Sequence, residues 1–504
     1  MLILSNHEYI LIFMIRAYPT GVAMGVLSVP VLSRLGLRRP GPPRSTATGR
    51  FQISDVTVIN PMHGRRANAT IEVAEGAIAG ISDTQTTPPS EFAGCFALPG
   101  LVDMHVHLPP DNALKLTRGA ALLYLLHGVT SVREAGDLDG TAVAAARRLS
   151  EAGIDPVPRV FSCGPFVGAG KATFRNTILL EDSSAAAAEA AAVRVKATGA
   201  SFLKFYEGLS EPMIRALERA CARHGLGMMG HVPAGMHYEH ARIAEVQHFF
   251  GVPEPQTLER DTLTNRSCDW HAVDERRMDR IVETTLKYGI ANTPTIVTNQ
   301  RMLCYRDFEA ACREPDMQLV PPFYRDVIWH PDRGRPSNRM TRDYLERQVV
   351  QAVASKQRLA KKLFDAGAQL YLGTDVAQPF LVPGASLREE MALFTDAGIG
   401  PEQVWKLATR DAGDRLGVRG LGRVEADAPA DILLFRRDPT ISLRNLSSLE
   451  AVVTAGKLYR VADLAQAQQA SQAYFASPLI KPLARRGAER ALARAFGGAS
   501  MVSS

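Results

Sequence analysis

Two kinds of hydrophobic pattern divide the chain. Residues 51–59 alternate apolar and polar side chains as a strand does, and 69–73 and 77–81 read as further short strands around a turn at Gly76. Near the other end, 431–435 (DILLF) and 451–460 (AVVTAGKLYR) are again strand-like, with Gly456-Lys457 as the turn. These pieces, 51–98 and 421–462, are expected to meet in one small β-sandwich domain built from both chain ends. Between them, over 99–420, short apolar runs alternate with helical stretches. The runs are 100–104, 130–133, 159–163, 201–205, 227–231, 245–250, 291–297 and 369–375; helices are expected at 114–126, 184–197, 211–224 and 346–366. Strand runs joined by helical crossovers predict an α/β protein with a (β/α)8 TIM barrel. Two connections, near 251–288 and 299–345, are long insertions carrying Trp270, Phe323, Tyr324 and Trp329. Long connections in a compact domain serve as lids or binding walls. Residues 463–504 read as a helical, increasingly basic tail whose amphipathic face is suited to pack on the barrel or on a second subunit.

Residues 1–50 differ from the rest. Pro19, Gly21, Gly25 and Pro30 interrupt any helix there, and a basic, proline-rich stretch follows at 38–44. The first fifteen residues hold Glu8 and no Lys or Arg, which is unlike a signal peptide. This segment is expected to be a disordered leader or an over-extended start, with a signal or membrane anchor over 1–35 as the alternative.

Composition narrows the classes. The 504 residues are 46% apolar and 22% charged, enough for a sizeable core and too apolar for global disorder. A succession of apolar spans of about 20 residues is absent, which excludes a polytopic membrane protein. The net charge of +6 is small and scattered, so nucleic acid is not an expected partner. The six cysteines contain no C-x-x-C pair, which suits a reducing compartment. The expectation is a cytoplasmic protein with a small-molecule substrate, no stable membrane partner and room for a homo-oligomer. Export or anchoring follows instead if 1–35 is a true signal.

Candidate chemistry sits where the apolar runs end. His105 and His107 close the first run, and side chains two apart on a strand face the same way. Both imidazoles are therefore expected at the C-terminal mouth of the barrel, where such folds do their chemistry. One H-x-H alone is as well explained by two satisfied core histidines. The same grammar recurs, however: Lys204, His231, His248 and Asp375 each follow a later apolar run. Lone buried Lys and Asp are costly unless paired or metal-bound, and gathering these groups at one rim removes that cost.

These residues resemble a known family. PGLVDMHVHL (99–108), HGVTSVREAG (127–136), FLKFYEG (202–208), GHVP (230–233), VQHFFG (246–251), TPTIV (293–297) and LGTD (372–375) are similar to the amidohydrolase superfamily, within it the imidazolonepropionase-like and prolidase-like binuclear metal-dependent hydrolases. ADAPADILLF (426–435) and VVTAGKLY (452–459) match the flanks, so the resemblance covers about 51–462. It implies two divalent metal ions. His105, His107 and Asp375 would hold one, His231 and His248 the other, and Lys204 would bridge both as a CO2-derived carbamate. The physics agrees: an ammonium cannot ligate, whereas burial lowers a lysine's pKa and frees an amine that takes up CO2. Imidazole and carboxylate ligands suit Zn2+ first, with Mn2+, Co2+ or Fe2+ as alternatives.

The implied reaction is hydrolysis of a C–N bond, amide or peptide-like, in a small N-acyl or dipeptide-like substrate by metal-activated hydroxide. Asp375 would act as the proton shuttle and His231 would steady the carbonyl oxygen besides ligating. Tyr206 points the same way as Lys204 and is a candidate substrate contact, or else a packing residue of the rim. Arg133, Arg301, Arg306 and Arg325 are candidates to grip a carboxylate, against the commoner fate of a surface arginine. Lactone, ester or phosphotriester hydrolysis competes on the same site. Deamination is disfavoured, because Ala234 stands where deaminases commonly carry Glu and because Lys204 is present. A non-catalytic scaffold would have lost ligands. His127, His237 and His240 are expected to be structural or solvated. Residues 164–171 (GPFVGAGK) fail the phosphate-loop spacing and are expected to form a loop bordering the mouth.

Overall fold

The computed structural model describes residues 40–496 apart from 85–89, 112–115, 154, 256–261 and 377, together with the backbone of short strands before residue 40. Of the leader, only those strands and 40–50 are therefore described. Ile12–Ala17 pairs antiparallel with Gly21–Val26, and the remainder of the leader expectation lies outside the described residues. Among the described residues no helix is long and apolar enough to cross a membrane.

The middle of the chain is a TIM-barrel-like α/β arrangement of parallel segments. Leu101–Val106, Val129–Glu134 and Arg159–Ser162 form one parallel ladder. Phe202–Phe205, Gly227–Gly230, Glu245–Gln247 and Ala291–Thr293 form another. The Ser201 amide donates to the Ser162 carbonyl at 3.0 Å, which links the two. Residues 369–376 lie between the outer members. Tyr371 N donates to Asn292 O at 2.9 Å, and Met104 N donates to Leu372 O at 2.9 Å. Among the described residues that stretch pairs through isolated bridges, including Asn292 with Leu370 and Val106 with Val376. The expected run at 291–297 is strand only to Thr293, because Ile296–Met302 is already helix. Gly373 is required where this stretch passes the first strand: a Cβ there would come within 2.7 Å of the His105 Cβ.

The connections are more ordered than their sequence suggests. Phe166–Ala169 and Thr177–Leu180 are additional strands, and Phe166 pairs in parallel register with Lys204. The 164–171 stretch was expected as loop; its FVGA core is fully buried, and burial of those apolar side chains pulls it into the sheet. It does border the mouth, since the Phe166 ring stacks 6.0 Å from that of His107. The insertion near 251–288 contains helices Leu263–Cys268 and Glu275–Tyr288. The insertion near 299–345 is a chain of short helical turns whose apolar side chains bury Met317, Trp329 and Phe380 together. The tail forms helices Val461–Ala476 and Ile480–Phe496. It packs on this insertion, with Phe475, Ala484 and Ala488 against Phe323 and Val327.

Strands from both chain ends share one sheet, as expected of a domain assembled from both. Hydrogen bonding runs in the order Lys457–Arg460, Leu449–Thr454, Ile432–Phe435, Phe96–Pro99, Phe51–Asn60, Gly64–Ala74, Ala77–Asp83. It is thus a seven-stranded sheet rather than two separately hydrogen-bonded layers. Its inner face encloses a core of Ile53, Ile71, Val73, Ile432, Leu434 and Val453, distinct from the barrel core. The strand Phe96–Pro99 leads directly into Leu101–Val106. The β-domain therefore anchors the start of the strand that carries His105.

Candidate metal and active site

Four histidines, a lysine and an aspartate converge at the C-terminal ends of the parallel segments, and all six are buried. Asp375 Oδ1 lies 3.4 Å from both His105 Nε2 and His107 Nε2. The ring of His105 is 5.4 Å from that of His107 and 4.7 Å from that of His248. His231 is 5.0 Å from His248 by the same measure. His105, His248 and Asp375 offer ligand atoms within 4.8 Å of one another, a grouping suited to a cation. Lys204 is only 1% exposed, and its charge acts on His105, His231 and His248.

Each imidazole is braced through Nδ1. His105 Nδ1 meets Gln247 Oε1 at 2.5 Å, and His107 Nδ1 meets the Gly136 carbonyl at 2.9 Å and Glu134 Oε1 at 3.3 Å. His231 Nδ1 meets Glu207 Oε1 at 3.0 Å, and His248 Nδ1 meets Thr295 Oγ1 at 2.6 Å. Bracing of this kind fixes the tautomer and leaves Nε2 as the nitrogen for a cation. His105 Nε2 is buried with no hydrogen-bond partner among the described residues. An orphaned buried nitrogen carries a cost that a bound metal would remove, so the donor set fits a metal. Backbone shape follows the site: His248, Asp375 and Thr295 adopt left-handed φ of 62°, 59° and 47°. Non-glycine residues in that region are strained, and such strain gathers at functional sites.

Electrostatics point the same way for three of the four rings. Burial lowers Lys204 to a pKa of about 8, against the opposing pull of Asp375. Burial also holds His105 down at about 4, helped by Lys204, and it keeps His231 and His248 well below the usual histidine value. Those rings are neutral, as ligands must be. Burial works against charge on His107, but Asp375 and Glu134 outweigh it and raise the pKa to about 9. Asp375 would be pushed up by burial, yet the imidazoles of His105 and His107, each 3.4 Å away, hold it well below the carboxylate norm. Asp103 is raised to about 7 by burial, and it accepts from Thr374 Oγ1 at 2.7 Å and Thr374 N at 3.1 Å. It therefore fixes the residue before Asp375.

The candidate substrate contacts separate. Tyr206 is at the site, its ring 4.7 Å from His231 and 4.8 Å from Phe166, and burial raises its pKa. Arg133 is not: it is fully buried and wholly engaged by protein. Its Nε donates to Met104 O at 2.8 Å, its Nη1 donates to Glu245 Oε2 at 2.9 Å, and its Nη2 also donates to Glu245. Arg415 Nε donates to the same carboxylate at 2.9 Å. Removing one partner of a buried charge cluster strands the others. Glu245→Ala is therefore expected to destabilise the fold by about 3–5 kcal/mol. Urea unfolding measures this, and a loss below about 1 kcal/mol, the scale of a surface pair, would contradict it. Among the insertion arginines, Arg301 pairs with Glu389 and Glu314, Arg306 with Glu346, and Arg325 donates to Met317 O.

The decoys stay apart from the centre. His127 is buried, and neither ring nitrogen is hydrogen-bonded among the described residues. His237 precedes and His240 lies within the short helix Tyr238–Ala241, their rings 5.3 Å apart. The braces Gln247, Glu134, Glu207 and Thr295 were not anticipated. All but Thr295 lie beside a ligand or candidate contact in the chain, but their partners are fixed only by the fold.

Buried, braced imidazoles, a carboxylate beside two of them and a desolvated lysine form a candidate metal site on a TIM-barrel-like fold. The chain belongs to the amidohydrolase family, whose sequence profile matches residues 96–461, and it is a hydrolase acting on C–N bonds. That family is generally metal-dependent. Among solved structures, a bottromycin amidohydrolase is similar at 24% identity, with a TM-score of 0.67 over 89% of this chain and 93% of the other. A putative prolidase from Bifidobacterium longum is similar at 20% identity, with a TM-score of 0.61 over 85% of this chain and 99% of the other. The ochratoxinase of A. niger is similar at 15% identity, with a TM-score of 0.58 over 82% and 96%. At these identities the likeness concerns the fold. No curated protein matches the sequence significantly.

Proposed function

We propose that the protein hydrolyses an amide or peptide-like C–N bond of a small N-acyl or dipeptide-like substrate, at a binuclear metal centre in the mouth of a (β/α)8 barrel. The convergence of His105 and His107 on Asp375, beside the buried Lys204, carries this reading. His105, His107 and Asp375 would hold one ion, His231 and His248 the second, and a carbamate on Lys204 would bridge them. Zn2+ suits this set first, with Mn2+, Co2+ or Fe2+ as alternatives. When bound, the metals supply Lewis acidity toward the substrate carbonyl and an activated water.

The chain's own residues do the remaining work. Asp375 takes the proton of the attacking water on its carboxylate and hands it to the leaving nitrogen. The His107 imidazole, held by Glu134 and Gly136 O, stays oriented while that proton moves. Lys204 acts on His105, His231 and His248 alike, and its amine, eased toward neutrality by burial, would take up CO2. Phe166, Tyr206 and Phe250 surround the His231 side of the mouth and exclude water, which strengthens every charge interaction inside.

The direct test is a panel of N-acyl amino acids, dipeptides, lactones and aryl esters, assayed with zinc and bicarbonate. Turnover is expected on the amides, with loss on chelation and return on adding metal. Turnover confined to lactones or esters would favour the alternative hydrolase reading on the same site.

A further inference from the structure

One arginine of the 299–345 insertion stands apart: Arg313, Arg333, Arg339 and Arg342 are exposed, whereas Arg335 is half-buried. Arg301 and Arg306 are ion-paired to glutamates, and Arg325 is turned to a backbone carbonyl. Arg335 forms no ion pair among the described residues. Its Nη1 donates to Gln378 Oε1 at 3.2 Å. Gln378 in turn closes a tight turn onto the proposed proton shuttle, its amide donating to the Asp375 carbonyl at 3.2 Å. The guanidinium therefore reaches the wall of the mouth on the Asp375 side. Its surroundings agree, since Asp375, Tyr305, Tyr324 and Tyr206 are the groups that act on its charge. The ring of Tyr206, one of those groups, is 4.7 Å from that of His231, which puts Arg335 near the ligands.

A partly desolvated arginine without a counter-ion is costly, and its planar fork matches a carboxylate. Asp375 hands its proton to the leaving nitrogen, so the leaving half of the substrate must lie on the Asp375 side. In an N-acyl amino acid or dipeptide the carboxylate is two bonds beyond that nitrogen. We infer that Arg335 is the specificity residue that binds the carboxylate of the leaving amino acid, so the substrate class is N-acyl α-amino acids or dipeptides with a free C-terminus rather than their amides or esters. This rests on the amidohydrolase reading of the site and adds to it a substrate class and the residue that selects it. Tyr324 and Tyr206, which act on the same charge, supply hydroxyls as further donors.

The experiment compares N-acetyl-L-phenylalanine with N-acetyl-L-phenylalaninamide on the zinc-loaded full chain, by calorimetric binding and by hydrolysis. The wild-type protein is expected to bind the free acid about 10–100-fold more tightly than the neutral amide, the span of one charge-assisted, desolvated contact. Arg335→Met is expected to bring that ratio close to one, and Arg335→Lys to leave an intermediate ratio, since it keeps the charge and loses the fork. Arg306→Met, which removes a partner of Glu346 away from the mouth, is expected to keep the wild-type ratio. Thermal melting and metal content of each variant report whether fold and centre survive. No preference for the acid in the wild type, or a preference unchanged in Arg335→Met, overturns the assignment while leaving amide hydrolysis intact as a reading. An Arg335-dependent preference without any turnover upholds the carboxylate contact and overturns N-acyl amino acids as the substrate that is cleaved.

Discussion

Lys204→Ala is expected to lose the second metal ion and to lower turnover by about a thousandfold, matching the several kcal/mol that a Lewis-acid contact supplies. The reasoning starts from burial. Lys204 is fully enclosed, its pKa falls to about 8, and it sits among groups that need an anion between them. A methyl group in its place leaves His105, His231 and His248 without the bridging charge that would bring two cations close. Acetate or propionate, added at high concentration, is expected to enter the vacated space and restore part of the activity, because each carries the same bidentate anion as a carbamate. Metal content and rate are read together. A variant that keeps its metals and its rate would show that Lys204 is only a packing residue.

The second large effect belongs to Asp375. Asp375→Asn keeps the shape but cannot take a proton, and general acid–base catalysis contributes about a hundred- to ten-thousand-fold. A fall in kcat within that range is expected, with KM changed far less. The pKa of Asp375 is held well below the usual value, so its carboxylate is available as a base throughout the neutral range. Loss through KM alone would mean that Asp375 binds substrate rather than moving a proton.

Much of this site is legible in the sequence, for a physical reason. A buried His, Lys or Asp at the end of an apolar run is expensive, so six of them at strand ends announce a shared purpose. The alternation at 51–59 and at 451–460 likewise foretold strands, because one face of the sheet must be apolar. What stayed hidden depends on partners far apart in the chain. Gln247 holds His105 from 142 positions away, and Glu245 neutralises Arg133 from 112. Arg133 thus looked like a carboxylate grip and is instead a buried brace. Phe166–Ala169 looks like loop in the sequence because the glycines of 164–171 resemble a phosphate loop. Gly168 is there because a Cβ would come within 2.7 Å of the Glu207 carbonyl. Arg335 carries no local signal at all; only the folding of its insertion over the mouth sets it apart from its neighbours.

Elemental analysis of the purified full-length chain, loaded with zinc in bicarbonate buffer, tests the central claim most directly. About two metal ions per chain are expected in the wild type, as two-metal hydrolases hold, and about one or fewer in Lys204→Ala. A wild-type chain that binds no metal, and gains no activity when zinc is supplied, would contradict the account.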